Sequence, residues 1–168
     1  MEFEKVVKDR FSVRMFQDKM VDDAIIKKIL EVGRLAPTAK NLQPQKIYVV
    51  RSKNGIEKID KVTRCRYGAP VCLLVCSNKD VAWAIGDYSS YEMDASIVAT
   101  MMMLEATNLG VDNIWIRMFD RSDVALEFNL PKNIVPICII PLGYKTDGCE
   151  PSIMHNNRKE LSEFVEYI

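Results

Sequence analysis

The chain has no surplus of either charge: 23 Lys and Arg balance 23 Asp and Glu over 168 residues. A dedicated binder of nucleic acid or of an anionic membrane surface needs a basic excess, so both classes are set aside. No apolar run approaches the ~20 residues of a membrane span. The opening segment MEFEKVVKDR is charged and has no apolar stretch of the secretory type, so a cytoplasmic address is expected. The one histidine, His155, is too little imidazole to anchor a zinc site. The Gly-rich pattern GxGxxG is missing, which removes a Rossmann crevice. No repeat, low-complexity tract or linker divides the chain, and its length suits a single domain over residues 1–168.

The five cysteines, at 65, 72, 76, 138 and 149, are odd in number and irregularly spaced. Cys72 and Cys76 share an apolar run with strand character. Four apart on a strand, they face the same way about 13 Å apart at a ~3.3 Å rise, too far for a disulfide or a shared metal. Buried free thiols are expected. A catalytic Cys–His pair has no supporting pattern, and no triad or acid–base dyad stands out.

Periodicity predicts a short helix over 2–8 and a clearer one over 21–35. Asp22 or Asp23 caps the second, and Ile25, Ile29, Leu30 and Val32 line it. Residues 37–45 form a loop with two prolines. KIYVVR at 46–51 reads as a strand, and Asn54-Gly55 opens a helix to about Val62. The continuous apolar run 70–77 suits a strand covered on both faces. A long helix spans 92–109, with Met101 to Met103 as core filler and Gly110 placed to end it. NIWIR at 113–117 is a short strand. Ser122 caps a helix to about Phe128, 134–144 is another apolar strand, and 161–165 is a last apolar helical turn. Helices and strands mixed in this way give an α+β class with a central sheet packed by helices. Asp87, Glu92 and Asp94 read as solvated or capping carboxylates near a helix start.

Two guanidinium groups and a hydroxyl within five residues, Arg10, Ser12 and Arg14, make a compact phosphate receptor. Taken alone, the same trio also reads as an ordinary charged helix end. Other motifs follow it in order: APTAKNLQPQ at 36–45, DASIVATMMMLEATNLGVDNIWI at 94–116, PLGYKTD at 141–147, and a basic residue, Arg158, before the final turn.

Together with RFSVRMF at 10–16, this ordered set resembles the FMN-dependent nitroreductase-like flavoproteins in their short form. The resemblance runs from residue 10 to about 160. Phe11 departs from the commoner second Arg or His, Thr38 from Ser, Gln45 from Trp, and Arg117 from Gly. The resemblance implies a mixed, mainly antiparallel sheet in a dimeric fold. It implies that Arg10, Ser12, Arg14 and Arg158 hold the FMN phosphate and ribityl chain. It also implies that Pro37, Thr38, Ala39, Asn41 and Gln43 of the neighbouring subunit lie against the flavin ring, with Ile116 and Gly143 completing the site. Turn chemistry alone is the other reading of Asn41 and Gln43.

The implied activity is an NAD(P)H oxidoreductase that reduces small electron acceptors, nitroaromatics or quinones, by ping-pong hydride transfer through FMN. NADH or NADPH would bind transiently over the flavin, and the cofactor would carry the chemistry, so no catalytic side chain is expected. A two-fold homodimer with FMN at the interface follows from the shared loop. Arg117 is expected either to place a positive charge near the flavin or to turn to solvent. The alternative function is a flavin-binding storage or sensor protein, or an enzyme that consumes reduced flavin, with little NAD(P)H turnover.

Overall fold

The computed structural model describes residues 2–168. The chain runs α1 (Phe3–Asp9), α2 (Asp23–Arg34), β1 (Gln45–Val50), α3 (Lys53–Val62), β2 (Val71–Asn78), β3 (Ala84–Ile85), β4 (Tyr88–Ser89), α4 (Tyr91–Asn108), β5 (Asp112–Asn113), α5 (Arg121–Glu127) and β6 (Ile134–Gly143). Short 3₁₀ turns occupy Ala39–Asn41 and Leu161–Glu163.

Four strands form an antiparallel sheet in the order β1-β2-β6-β5. A single parallel bridge, Ser12 to Asn113, joins the N-terminal segment to its edge. The apolar strand β2 sits inside, as its composition requires. Val71, Leu73 and Val75 point to one face and pack with Ile26, Ile29, Val98 and Met102 of α2 and α4. Cys72, Leu74 and Cys76 point to the other and pack with Ile59 of α3 and Val124 of α5. Each such fully buried Leu or Ile contributes about 1.5–3 kcal/mol relative to exposure. The two thiols of β2 do share a face, and all five cysteines are free and buried.

Helix boundaries follow local chemistry. Asp22 caps α2 by accepting from Ala24 N at 2.7 Å. Gly110 follows α4 with φ 74°, a left-handed conformation that ends the helix at little cost. Four expectations need correction. Asp120, not Ser122, caps α5, because its carboxylate accepts from both Ser122 N and Asp123 N. Ser52 starts α3, with Asn54-Gly55 inside its first turn. The strand expected over 113–117 shortens to β5, and Ile116 instead makes an isolated bridge to Ile139. The final apolar turn is a 3₁₀ turn with Leu161 and Phe164 exposed. The β3–β4 hairpin, two residues a side, was too short for any periodicity to announce.

Candidate functional site

The end of α1 delivers Arg10 to the sheet edge. Val13 N donates to Asn113 O at 3.2 Å, which holds the RFSVR segment against β5. Arg10 and Ser12 are half-buried and Arg14 is exposed. The C-terminal segment crosses back over this region. His155 Nε2 donates to Lys8 O at 3.1 Å, and its ring meets Phe11 edge to face with centroids 6.1 Å apart. These contacts bring Arg158 towards Arg10. Burial, and then the positive charge of Arg158, lower the proton affinity of the Arg10 guanidinium. Among the described residues neither Arg10 nor Arg158 makes an ion pair. Two like charges brought together without a carboxylate are unfavourable unless an anion joins them, so the donor set fits a phosphate.

The loop at 37–43 is the second part. Lys40, Asn41 and Gln43 have φ of 50°, 54° and 51°. Left-handed backbone at a non-glycine residue costs about 1–2 kcal/mol, least for Asn. The surroundings enforce it. Thr38 Oγ1 accepts from Gln43 N at 3.0 Å, and Gln43 Nε2 donates to Asn41 O at 3.2 Å. Pro37, Asn41 and Gln43 are exposed, and Thr38 and Ala39 are half-buried. The loop is thus presented outward.

The clamp on that loop is Asp94, and here the structure overturns an expectation. Asp94 is a buried carboxylate, not a solvated one. One oxygen accepts from Ala39 N at 2.9 Å and the other from Ser90 Oγ at 2.7 Å. Only Ser90, four residues earlier in the sequence, hinted at such a partner. Glu92, by contrast, is exposed. The Arg121 guanidinium beside it, at 2.7 Å, holds its carboxyl below the usual range. Lys40 also sits 5.7 Å from the centre of the Trp83 ring, tying the loop to the β3–β4 hairpin.

Ile116 is buried and exchanges backbone hydrogen bonds with Ile139. Gly143 is buried at the end of β6. A Cβ there would lie 2.9 Å from Phe16 Cδ1 and 3.0 Å from Pro70 Cδ. Arg117 turns outward, donating to Phe119 O at 3.1 Å and lying 4.9 Å over the Phe119 ring.

Arg10 and Arg158, neither in an ion pair among the described residues, sit on an α+β fold whose sheet is covered by helices, and their chemistry fits an anion. The chain belongs to the nitroreductase family, whose sequence model matches residues 7–67 and 65–144. A protein of Methanothermobacter thermautotrophicus, named provisionally an NADH dehydrogenase/NAD(P)H nitroreductase, is 30% identical over 153 residues, covering 86% of this chain and 78% of its own. The crystal structure of a nitroreductase family protein from Clostridium difficile 630 is 39% identical, with a TM-score of 0.93 over 99% of this chain and 98% of that one. A nitroreductase-like structure from Exiguobacterium sibiricum, solved in complex with FMN, has a TM-score of 0.88 over 100% of this chain and 98% of its own. At 18% identity that likeness shows the fold alone.

Proposed function

We propose that this protein is an FMN-dependent NAD(P)H oxidoreductase of the cytoplasm, working as a two-fold homodimer on small electron acceptors such as nitroaromatics or quinones. The observation that carries the reading is that Arg158 is near enough to lower the proton affinity of Arg10 while neither makes an ion pair among the described residues. A phosphate monoester bears close to two negative charges at neutral pH and satisfies both. Ser12 and Arg14 extend the receptor along the ribityl chain. When bound, FMN supplies a two-electron relay that takes hydride from NADH or NADPH and passes it to the acceptor.

The chain's own residues grip and orient. Pro37, Thr38, Ala39, Asn41 and Gln43 face a flavin held by the other subunit, and Asp94 sets the height of that loop. Ile116 lines the site, and Gly143 lets Phe16 and Pro70 pack behind it. The dimer reading is supported by an apolar groove of about 400 Å³ between α1, α2 and α4, lined by Phe3, Val6, Val32, Met101 and Leu104. A second copy of the chain would cover that groove.

The deciding experiment is the visible spectrum of the purified protein with FMN, followed anaerobically on adding NADH or NADPH. Bleaching by either donor, recovery on adding a quinone or nitroaromatic, and a native mass of two chains with two FMN are expected. A protein that binds FMN but is not reduced by either donor supports storage or sensing instead. A colourless protein with no affinity for FMN ends the reading altogether.

A further inference from the structure

Arg10 and Phe11 line a cavity of about 180 Å³ that also contains Lys145, just past the end of β6. Two carboxylates, Asp9 and Asp112, stand on its wall, and each has a partner. Asp9 pairs with Lys5 at 2.5 Å, and Asp112 Oδ2 accepts from the backbone N–H of Lys145 at 2.7 Å. The Lys145 ammonium makes no ion pair among the described residues. It rests 5.0 Å from the centre of the Phe11 ring.

Its position is built, not accidental. The Lys145 backbone is held on both sides, by Asp112 and by Gln17 Nε2, which donates to Lys145 O at 2.7 Å. Phe11 carries the ammonium and also packs against His155, on the segment that carries Arg158. Phe11 thus packs against Lys145 and against the segment that carries Arg158, and Arg158 itself lines a neighbouring cavity with Lys8 and His155. Asn113 lies on the same cavity wall. Its Nδ2 donates to Met103 O and Thr107 Oγ1, while its Oδ1 is buried without a partner. Cations beside a spare acceptor suit a phosphate ester of a polyhydroxyl chain, whose hydroxyls can donate.

We propose that Lys145 is a further phosphate-binding residue, the third cation that, with Arg10 and Arg158, encloses the FMN phosphate, using Phe11 as its seat. This rests on the FMN reading above. Lysine acts here as a point charge and arginine as a planar fork, so the two residue types complement each other around one phosphate.

The test measures FMN and riboflavin affinity by quenching of flavin fluorescence, using full-length protein stripped of flavin. Lys145→Ala should weaken FMN about tenfold and leave riboflavin within about twofold, because riboflavin lacks the phosphate. Lys145→Arg should retain most FMN affinity. Arg10→Ala is the reference. If Arg10→Ala weakens FMN selectively and Lys145→Ala does not, the role of Lys145 is overturned and the FMN reading survives. If neither variant separates FMN from riboflavin, both fall. An unchanged thermal midpoint in flavin-free Lys145→Ala excludes a folding explanation for its loss.

Discussion

The Asp94 carboxylate accepts a hydrogen bond from Ala39 N at 2.9 Å, joining the first turn of α4 to a loop 55 residues earlier. Its other oxygen takes the Ser90 hydroxyl at 2.7 Å. Asp94→Ala leaves the buried Ser90 hydroxyl without its partner, at about 1–3 kcal/mol, and removes the acceptor of the half-buried Ala39 N–H as well. Asp94→Asn keeps an acceptor for Ala39 N and turns an amide towards Ser90 Oγ. A thermal melt should therefore rank wild type above Asn and Asn above Ala. An Ala variant as stable as wild type would contradict the clamp.

The His155 contact with Lys8 O is what staples the C-terminal segment over α1. His155→Ala should expose residues 150–168 to limited proteolysis and weaken FMN more than riboflavin, since Arg158 travels with that segment. Equal cleavage rates in the variant and the wild type would show that the tail is held elsewhere.

Burial pushes the Cys72 and Cys76 thiols from 9.0 up to about 12 and raises Cys138 as well. These groups stay neutral in the folded state while their unfolded counterparts ionise. Their contribution to stability is whole below about pH 9 and is lost as pH rises towards 12. Denaturant midpoints should fall between pH 9 and 11, and Cys76→Val should flatten that slope. Native protein at pH 8 should react with a thiol reagent only after unfolding.

Gly143→Ala should cost about 1–3 kcal/mol, because the added methyl meets Phe16 and Pro70 inside 3.0 Å or at it. Urea unfolding measures this directly. A compensating Phe16→Leu substitution should recover part of the loss.

Local regularities announced most of the framework. The all-apolar run of β2, the helical spacing of α4 and Gly110 behind it are patterns within a few residues, and burial follows from them. The clustering of Arg10, Ser12 and Arg14 was equally legible, because two guanidinium groups and a hydroxyl within five residues are visible without a fold. Capping was less so: Ser122 and Asp120 are both good caps, and only the geometry of the entering chain chose Asp120.

Tertiary structure alone decided the relationships across long separations. Nothing near Asp94 indicates that it is buried under residue 39, because a carboxylate in a first helical turn is favourable in water too. Nothing near Lys145 indicates that it lies over Phe11, since a cation–ring contact between residues 134 apart needs β6 and the N-terminal segment to meet at the same sheet edge. The sequence by itself determined which groups are apolar, charged or free to turn. Which charges end up without a partner depends on where the whole chain brings them.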